Sequence, residues 1–138
     1  MSTATAHYSG QLRTEATHTA SGNSIVTDAP VDNHGRGEAF SPTDLVSAAL
    51  GSCMMTIMGI VAERSQIDLT GSTFNVTKHM LADPRRIGQI DVQFQLPATL
   101  SPKHRAILEK AARTCPVALS LNPEIRQEVR FTYGESAV

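Results

Sequence analysis

Aromatic residues are scarce in this chain, whose 138 residues include no tryptophan, two tyrosines and four phenylalanines. Flat platforms on which nucleic-acid bases could stack are therefore not expected. The formal net charge is only −1, so the chain also lacks the basic surface that binds nucleic acid. It shows no internal repeat and no linker-like stretch, and its length predicts one domain over residues 1–138.

Cysteine is equally rare, with two residues, Cys53 and Cys115. The first residues, MSTATAH, contain neither the basic segment nor the apolar segment of an export signal. Two cysteines without such a signal indicate free thiols in a reducing compartment, here the cytoplasm, and not a disulfide framework.

Patterns for a metal ion or a cofactor are missing as well. None of the five histidines has ligand spacing to another histidine or to a cysteine. Gly35 and Gly37 are not followed by the Lys-Ser/Thr pair of a phosphate-binding loop. We therefore predict no metal site and no bound cofactor.

What the chain does contain is one long apolar segment, residues 41–64, which predicts a helix. Ser41 suits the N-cap, Pro42 suits the first helical position, and Asp44 can reach back to the Ser41 amide as a capping box. No charge occurs between Asp44 and Glu63, and a helix without a polar face is expected to be buried. Serines, threonine and glycines dilute the segment too much for a membrane span.

The other segments alternate between strand and helix patterns. Residues 6–28 indicate strands, residues 72–96 a long antiparallel hairpin, and residues 125–133 a last strand. Ser101-Pro102 begins a second helix that is expected to end near Arg113. This order predicts an α+β fold with antiparallel sheets around the central helix. One small sheet covers only one side of that helix, so we predict a homodimer with an extensive apolar interface.

The two cysteines are the best candidates for reactive residues in this chain. Cys53 lies about three turns inside the central helix, beyond the reach of the helix dipole, so a reactive thiolate there needs a cation from elsewhere, with Arg13 and Arg36 as candidates. Cys115 precedes Pro116 and could gain from a helix N-terminus. The alternative interpretation is that both are buried thiols that only fill space.

Two motifs resemble one known family. Segment 40–54, FSPTDLVSAALGSCM, is similar to the central-helix signature of the OsmC/Ohr family, and segment 113–117, RTCPV, is similar to its second-cysteine motif. They occur in the family's order and at a fitting separation, and the predicted strand order extends the resemblance over nearly the whole chain. The resemblance implies an intertwined α+β homodimer whose central helices are buried together.

The resemblance also implies a function. The best-known members of the family are thiol peroxidases that reduce organic hydroperoxides, with small dithiols of the lipoyl type as the usual reductants. By this resemblance Cys53 is the thiolate that attacks the peroxide and Cys115 is the resolving thiol. An arginine from the N-terminal strands holds that thiolate in the family, and Arg13 is the candidate here.

One position departs from the family pattern. The family's peroxidases pair the arginine with a glutamate ten residues before the first cysteine, and this chain has Thr43 there. Arg13 would then depend on Asp44, on Glu38 or on no acidic partner. The departure favours a rival hypothesis, an OsmC-like dimer that binds a small apolar ligand or is redox-silent. Titration of thiols after mild peroxide treatment separates the two hypotheses.

Overall fold

Three short strands open the chain and form an antiparallel sheet in the order β1-β2-β3. They are β1 (Ala4–Gly10), β2 (Arg13–His18) and β3 (Ser24–Asp28), as expected for residues 6–28. The computed structural model describes residues 1–134, and this sheet belongs to a first unit, Met1–Val46. The second unit begins at Ser47, so the division falls inside the long helix α1.

Helix α1 extends over Pro42–Arg64, within one residue of the predicted bounds. Its predicted capping box is confirmed at both contacts. The Asp44 amide donates to Ser41 Oγ over 3.1 Å, and the Ser41 amide donates to Asp44 Oδ2 over 3.0 Å. These two bonds satisfy amides at the N-terminus that have no partner inside the helix.

The second unit continues with the predicted hairpin, two helices and a last strand. The elements are β4 (Thr73–Leu81), β5 (Arg86–Leu96), α2 (Pro102–Arg113), α3 (Pro116–Ser120) and β6 (Arg126–Tyr133). β5 alternates along its length, and Ile90, Val92 and Phe94 point into the core. That core also includes Leu50, Met54 and Met58 from α1.

The prediction of purely antiparallel sheets is wrong for the last strand. β4 and β5 pair antiparallel as a hairpin, but β6 pairs parallel with β5, from Gln89 opposite Arg126 to Leu96 opposite Tyr133. The physical reason lies in the connection, because α2 and α3 carry the chain back past the sheet before β6 begins, and such a crossover joins parallel strands. The α+β class stands, with two three-stranded sheets of which one is mixed.

Burial along α1 is one-sided within a single chain. The buried positions recur at helical spacing, and they are Ser47, Leu50, Gly51, Met54, Met58 and Ala62. Only 33% of its most apolar stretch is buried, so the expected complete burial is not reached by one copy alone. Among residues 1–134, α1 is the one helix long and apolar enough to cross a membrane, a property that core helices of soluble proteins share.

Candidate active site

Cys53 lies on α1 beside the buried face of the helix. It is a free thiol, partly exposed, and it packs against the hydrophobic core between the buried Leu50 and Met54. The α1 backbone therefore holds Cys53 at the edge of the core.

Cys115 is the N-cap of the short helix α3. Pro116 pushes the preceding residue out of the helical region, and Cys115 accordingly has an extended backbone with φ −68° and ψ 155°. This is the conformation that an N-cap residue needs. Its Sγ accepts a hydrogen bond from the Ala118 amide over 3.4 Å, and the residue is fully buried.

The two thiols are neighbours in the second unit and are not joined by a disulfide. Burial raises the pKa of Cys115, and the side-chain hydrogen bond with Cys53 raises it further, while the Ala118 amide acts in the opposite direction. Cys115 does lie at a helix N-terminus, as the sequence suggested, and the Ala118 amide lowers its pKa, but burial has the larger and opposite effect. Loss of water around the sulfur outweighs the amide of a five-residue helix, so the pKa of Cys115 is raised overall.

Arg13 lies in the first unit, where it forms a bidentate ion pair with Asp28. Its Nε donates to Asp28 Oδ1 over 2.7 Å and its Nη2 donates to Oδ2 over 2.8 Å. Glu38 Oε1 accepts a longer bond of 3.4 Å from the same Nη2. The hydrogen bonds from Arg13 hold the pKa of the Asp28 carboxyl below its usual range.

The second cation named from the sequence, Arg36, also lies in the first unit. It donates to Gln11 Oε1 from the glycine-containing loop before α1. Thr43, the residue at the position of the family glutamate, has its hydroxyl 3.3 Å from the Ser41 hydroxyl. Asp44 has the capping contacts described above.

Comparison with known proteins identifies the family. The family model described as OsmC-like protein matches residues 35–130, which is more than half of the chain. The chain belongs to the OsmC/Ohr family. Among curated protein sequences, none matches it.

Solved structures agree with this membership. The OsmC-like chain is 49% identical to a protein from Psychrobacter arcticus 273-4 that is named for osmotic stress induction and a detoxification response, with 96% of each chain covered and a TM-score of 0.93. An organic hydroperoxide resistance protein from Legionella pneumophila is 19% identical, with 96% of this chain and 98% of that chain covered and a TM-score of 0.70. One from Elizabethkingia anophelis is 14% identical, with 97% and 98% covered and a TM-score of 0.74. These last two likenesses show the fold.

Sequence reasoning missed Asp28, the principal acidic partner of Arg13. We named Glu38 and Asp44 as candidates, and of these Glu38 makes the weaker contact described above. Strand register is the signal that could have found Asp28, because a hairpin that turns at residues 19–22 places Arg13 directly opposite this residue.

The part of the OsmC-like chain that the structure describes contains no group of three or more His, Cys, Asp or Glu side chains arranged to hold a metal ion. The second unit contains the two thiols, and the first unit separately contains an arginine–carboxylate pair. Such groups serve nucleophilic and redox chemistry at sulfur.

Proposed function

We propose that this protein is a thiol-dependent peroxidase that reduces organic hydroperoxides through Cys53 and Cys115 in defence against oxidative stress. The observation that carries the proposal is the neighbouring pair of free thiols, one partly exposed and one fully buried. Membership of the OsmC/Ohr family supports it, as do structural neighbours named organic hydroperoxide resistance proteins.

The difference in burial supports an order for the two cysteines. Burial raises the pKa of Cys115, which disfavours its thiolate, so we propose the more exposed Cys53 as the residue that attacks the peroxide. Its sulfur bonds to the terminal oxygen of ROOH as the O–O bond breaks. The departing alkoxide takes up the proton that the thiol released, so ROH leaves and Cys53 becomes a sulfenic acid.

Cys115 then resolves the sulfenic acid. Its sulfur displaces the hydroxyl group from Cys53, the S–O bond breaks, and water leaves with the Cys115 proton. An external dithiol of the lipoyl type returns two electrons and two protons and restores both thiols. The apolar surroundings of Cys53 favour an organic peroxide over hydrogen peroxide.

The proposal includes the partners and location expected from the sequence. We propose Arg13 as the cation that holds the Cys53 thiolate, and a homodimer as the working assembly. The apolar helix that one copy leaves partly exposed supports the dimer. Two free thiols fit the reducing cytoplasm.

Cysteine variants test the reaction directly. We expect the intact protein to consume cumene hydroperoxide in the presence of dihydrolipoate, and Cys53→Ser to lose at least about 100-fold of that rate. Cys115→Ser should complete one turnover and retain a sulfenic acid that dimedone traps. A Cys53→Ser protein that still consumes the peroxide at the original rate would refute the mechanism.

A second candidate function is the binding of a small apolar ligand by a redox-silent dimer. The threonine at the glutamate position favours it, since Thr43 cannot ionise and its hydroxyl lies beside that of Ser41. Counting thiols after one equivalent of peroxide decides between the two. Loss of two thiols per chain supports the peroxidase, and unchanged thiols support the binder.

A further inference from the structure

The Asp28 side chain is a carboxylate with no exposed surface, and every contact that we describe for it is with a donor. It accepts from Arg13 Nε over 2.7 Å, from Arg13 Nη2 over 2.8 Å and from the Glu38 amide over 3.2 Å. A buried carboxylate is costly unless it is paired and hydrogen-bonded, and these three bonds meet that requirement.

The pairing fixes the orientation of the guanidinium as well as its charge. Two parallel bonds to the two carboxylate oxygens constrain both the plane and the direction of the Arg13 fork. The two residues face each other on the neighbouring strands β2 and β3, so the sheet itself holds them in register. Glu38 cannot provide the same constraint, because its bond is 3.4 Å long and its side chain is 64% exposed.

Asp28 also forms hydrogen bonds with the segment that leads into α1. Its carboxylate accepts from the Glu38 amide, and its own amide donates to the Phe40 carbonyl over 3.1 Å. One residue therefore connects the arginine, the strand β3 and the loop that ends at the cap of the central helix.

We propose that Asp28 is a positioning residue, the carboxylate that fixes the plane and direction of the Arg13 guanidinium. This inference rests on the proposed function of Arg13 and Cys53. It gives Asp28 the task that the family resemblance assigns to a glutamate at position 43, and it accounts for how an OsmC/Ohr chain with Thr43 can keep its arginine oriented.

The inference is tested on the full chain with Cys115→Ser as background, so that Cys53 is the one thiol that reacts. The rate of alkylation by iodoacetamide is measured against pH, next to a thermal melt. We expect Asp28→Asn to move the midpoint of the alkylation profile to higher pH, as Arg13→Gln does. The alkylation midpoint of the double variant should equal that of Arg13→Gln alone, because Asp28 acts through Arg13. Asp91→Asn is the matched control, because that carboxylate pairs with His79 in the second unit, and it should leave the midpoint in place.

Peroxidase kinetics in the chain with both cysteines give an independent measurement. We expect Asp28→Asn to lower kcat by about 10- to 100-fold with little change in KM, since a misplaced guanidinium costs transition-state stabilisation. A folded Asp28→Asn protein with unchanged kcat and an unchanged alkylation midpoint overturns the inference, and so does a double variant whose two effects add.

Two further outcomes keep the test decisive. If Asp28→Asn does not fold, Asp28→Glu keeps the charge and shifts the guanidinium by one methylene. The inference then requires an alkylation midpoint between those of the parent and Arg13→Gln, and an unmoved midpoint overturns it. If the intact protein consumes no peroxide, the proposed function fails, while the alkylation profiles still decide whether Asp28 acts through Arg13.

Discussion

The Tyr133 hydroxyl donates a hydrogen bond to Glu109 Oε2 over 2.6 Å, and the Arg105 guanidinium lies 4.1 Å from the centre of the tyrosine ring. Burial raises the pKa of Tyr133 above its usual value near 10, and the Glu109 carboxylate adds to the increase. Because the folded state holds this proton more tightly than the unfolded chain does, its contribution to stability is complete below about pH 10 and is lost as the pH rises further.

We therefore expect Tyr133→Phe to lower the free energy of unfolding at pH 7 by about 1 kcal/mol, through the lost hydrogen bond to a carboxylate. The same variant should lose less stability than the parent between pH 10 and pH 12. Urea unfolding at pH 7, 10 and 12 measures both effects. Glu109→Gln keeps an acceptor without the charge, so its loss of stability should lie between those of the parent and Tyr133→Phe. Parallel pH profiles for the parent and Tyr133→Phe would contradict this expectation.

At the same scale, two residues mark the limit of what the sequence could tell. The identity of Cys115 as a candidate thiol was visible, and so was the extended backbone that Pro116 imposes on it. The raised pKa of its thiol was not, because the sign of the shift depends on how completely the surrounding side chains exclude water. Asp28 was missed for a related reason, since its partner is set by the register of a hairpin turn.

At the scale of elements, the contact between α1 and β4 depends on a glycine. A Cβ atom on Gly51 would lie 2.8 Å from ring carbons of Phe74 and 2.8 Å from Val76 Cγ1, closer than real contacts allow. Gly51 is buried in the face of α1 that includes Leu50 and Met54. The glycine weakens the isolated helix, and in return the helix packs close against the strand.

We expect Gly51→Ala to destabilise the protein by about 1 kcal/mol. The helix propensity of alanine contributes about 1 kcal/mol in favour of the variant, but overpacking in a closed core costs about 1–3 kcal/mol. Adding Val76→Ala should relieve part of the strain, so the double variant should lose less stability than the two single losses combined. Chemical denaturation of the four proteins measures the coupling, and a stabilised Gly51→Ala protein would show that the core yields without cost.

The first and last residues of the helices and strands were more predictable than which strands pair and in which direction. The ends of α1 and α2 follow from serine caps, a proline after each cap and local periodicity, all of which are short-range features. The strand pattern of β6 was also clear, but its parallel pairing with β5 was not. Alternation indicates which face of a strand is buried, while the direction of pairing depends on how α2 and α3 cross the sheet.

At the scale of the whole molecule, α1 leaves one side of itself in contact with water. Between its end residues Pro42 and Arg64, the exposed positions of α1 recur at helical spacing and are Ala49, Ser52, Thr56, Ile60 and Glu63. Because no charged residue lies between Asp44 and Glu63, water hydrates this side of the helix poorly. The homodimer that we propose would cover it, and an interface built on such a helix belongs to the large apolar class.

Ile60 distinguishes a dimer from a monomer. In a monomer its side chain is 43% exposed, so Ile60→Asp should change the free energy of unfolding by no more than about 1 kcal/mol. In a dimer that covers α1, the same change buries a charge without a partner, so we expect dissociation to monomers or loss of the fold. Light scattering after size exclusion gives the mass, and the dependence of Tm on concentration reports the assembly.

Ile107→Asp is the matched control, because Ile107 on α2 is also 43% exposed. We expect the parent and Ile107→Asp to have twice the mass of one chain. If Ile60→Asp keeps that mass and the parent's Tm, α1 is not the interface, and its apolar side must be accounted for in another way.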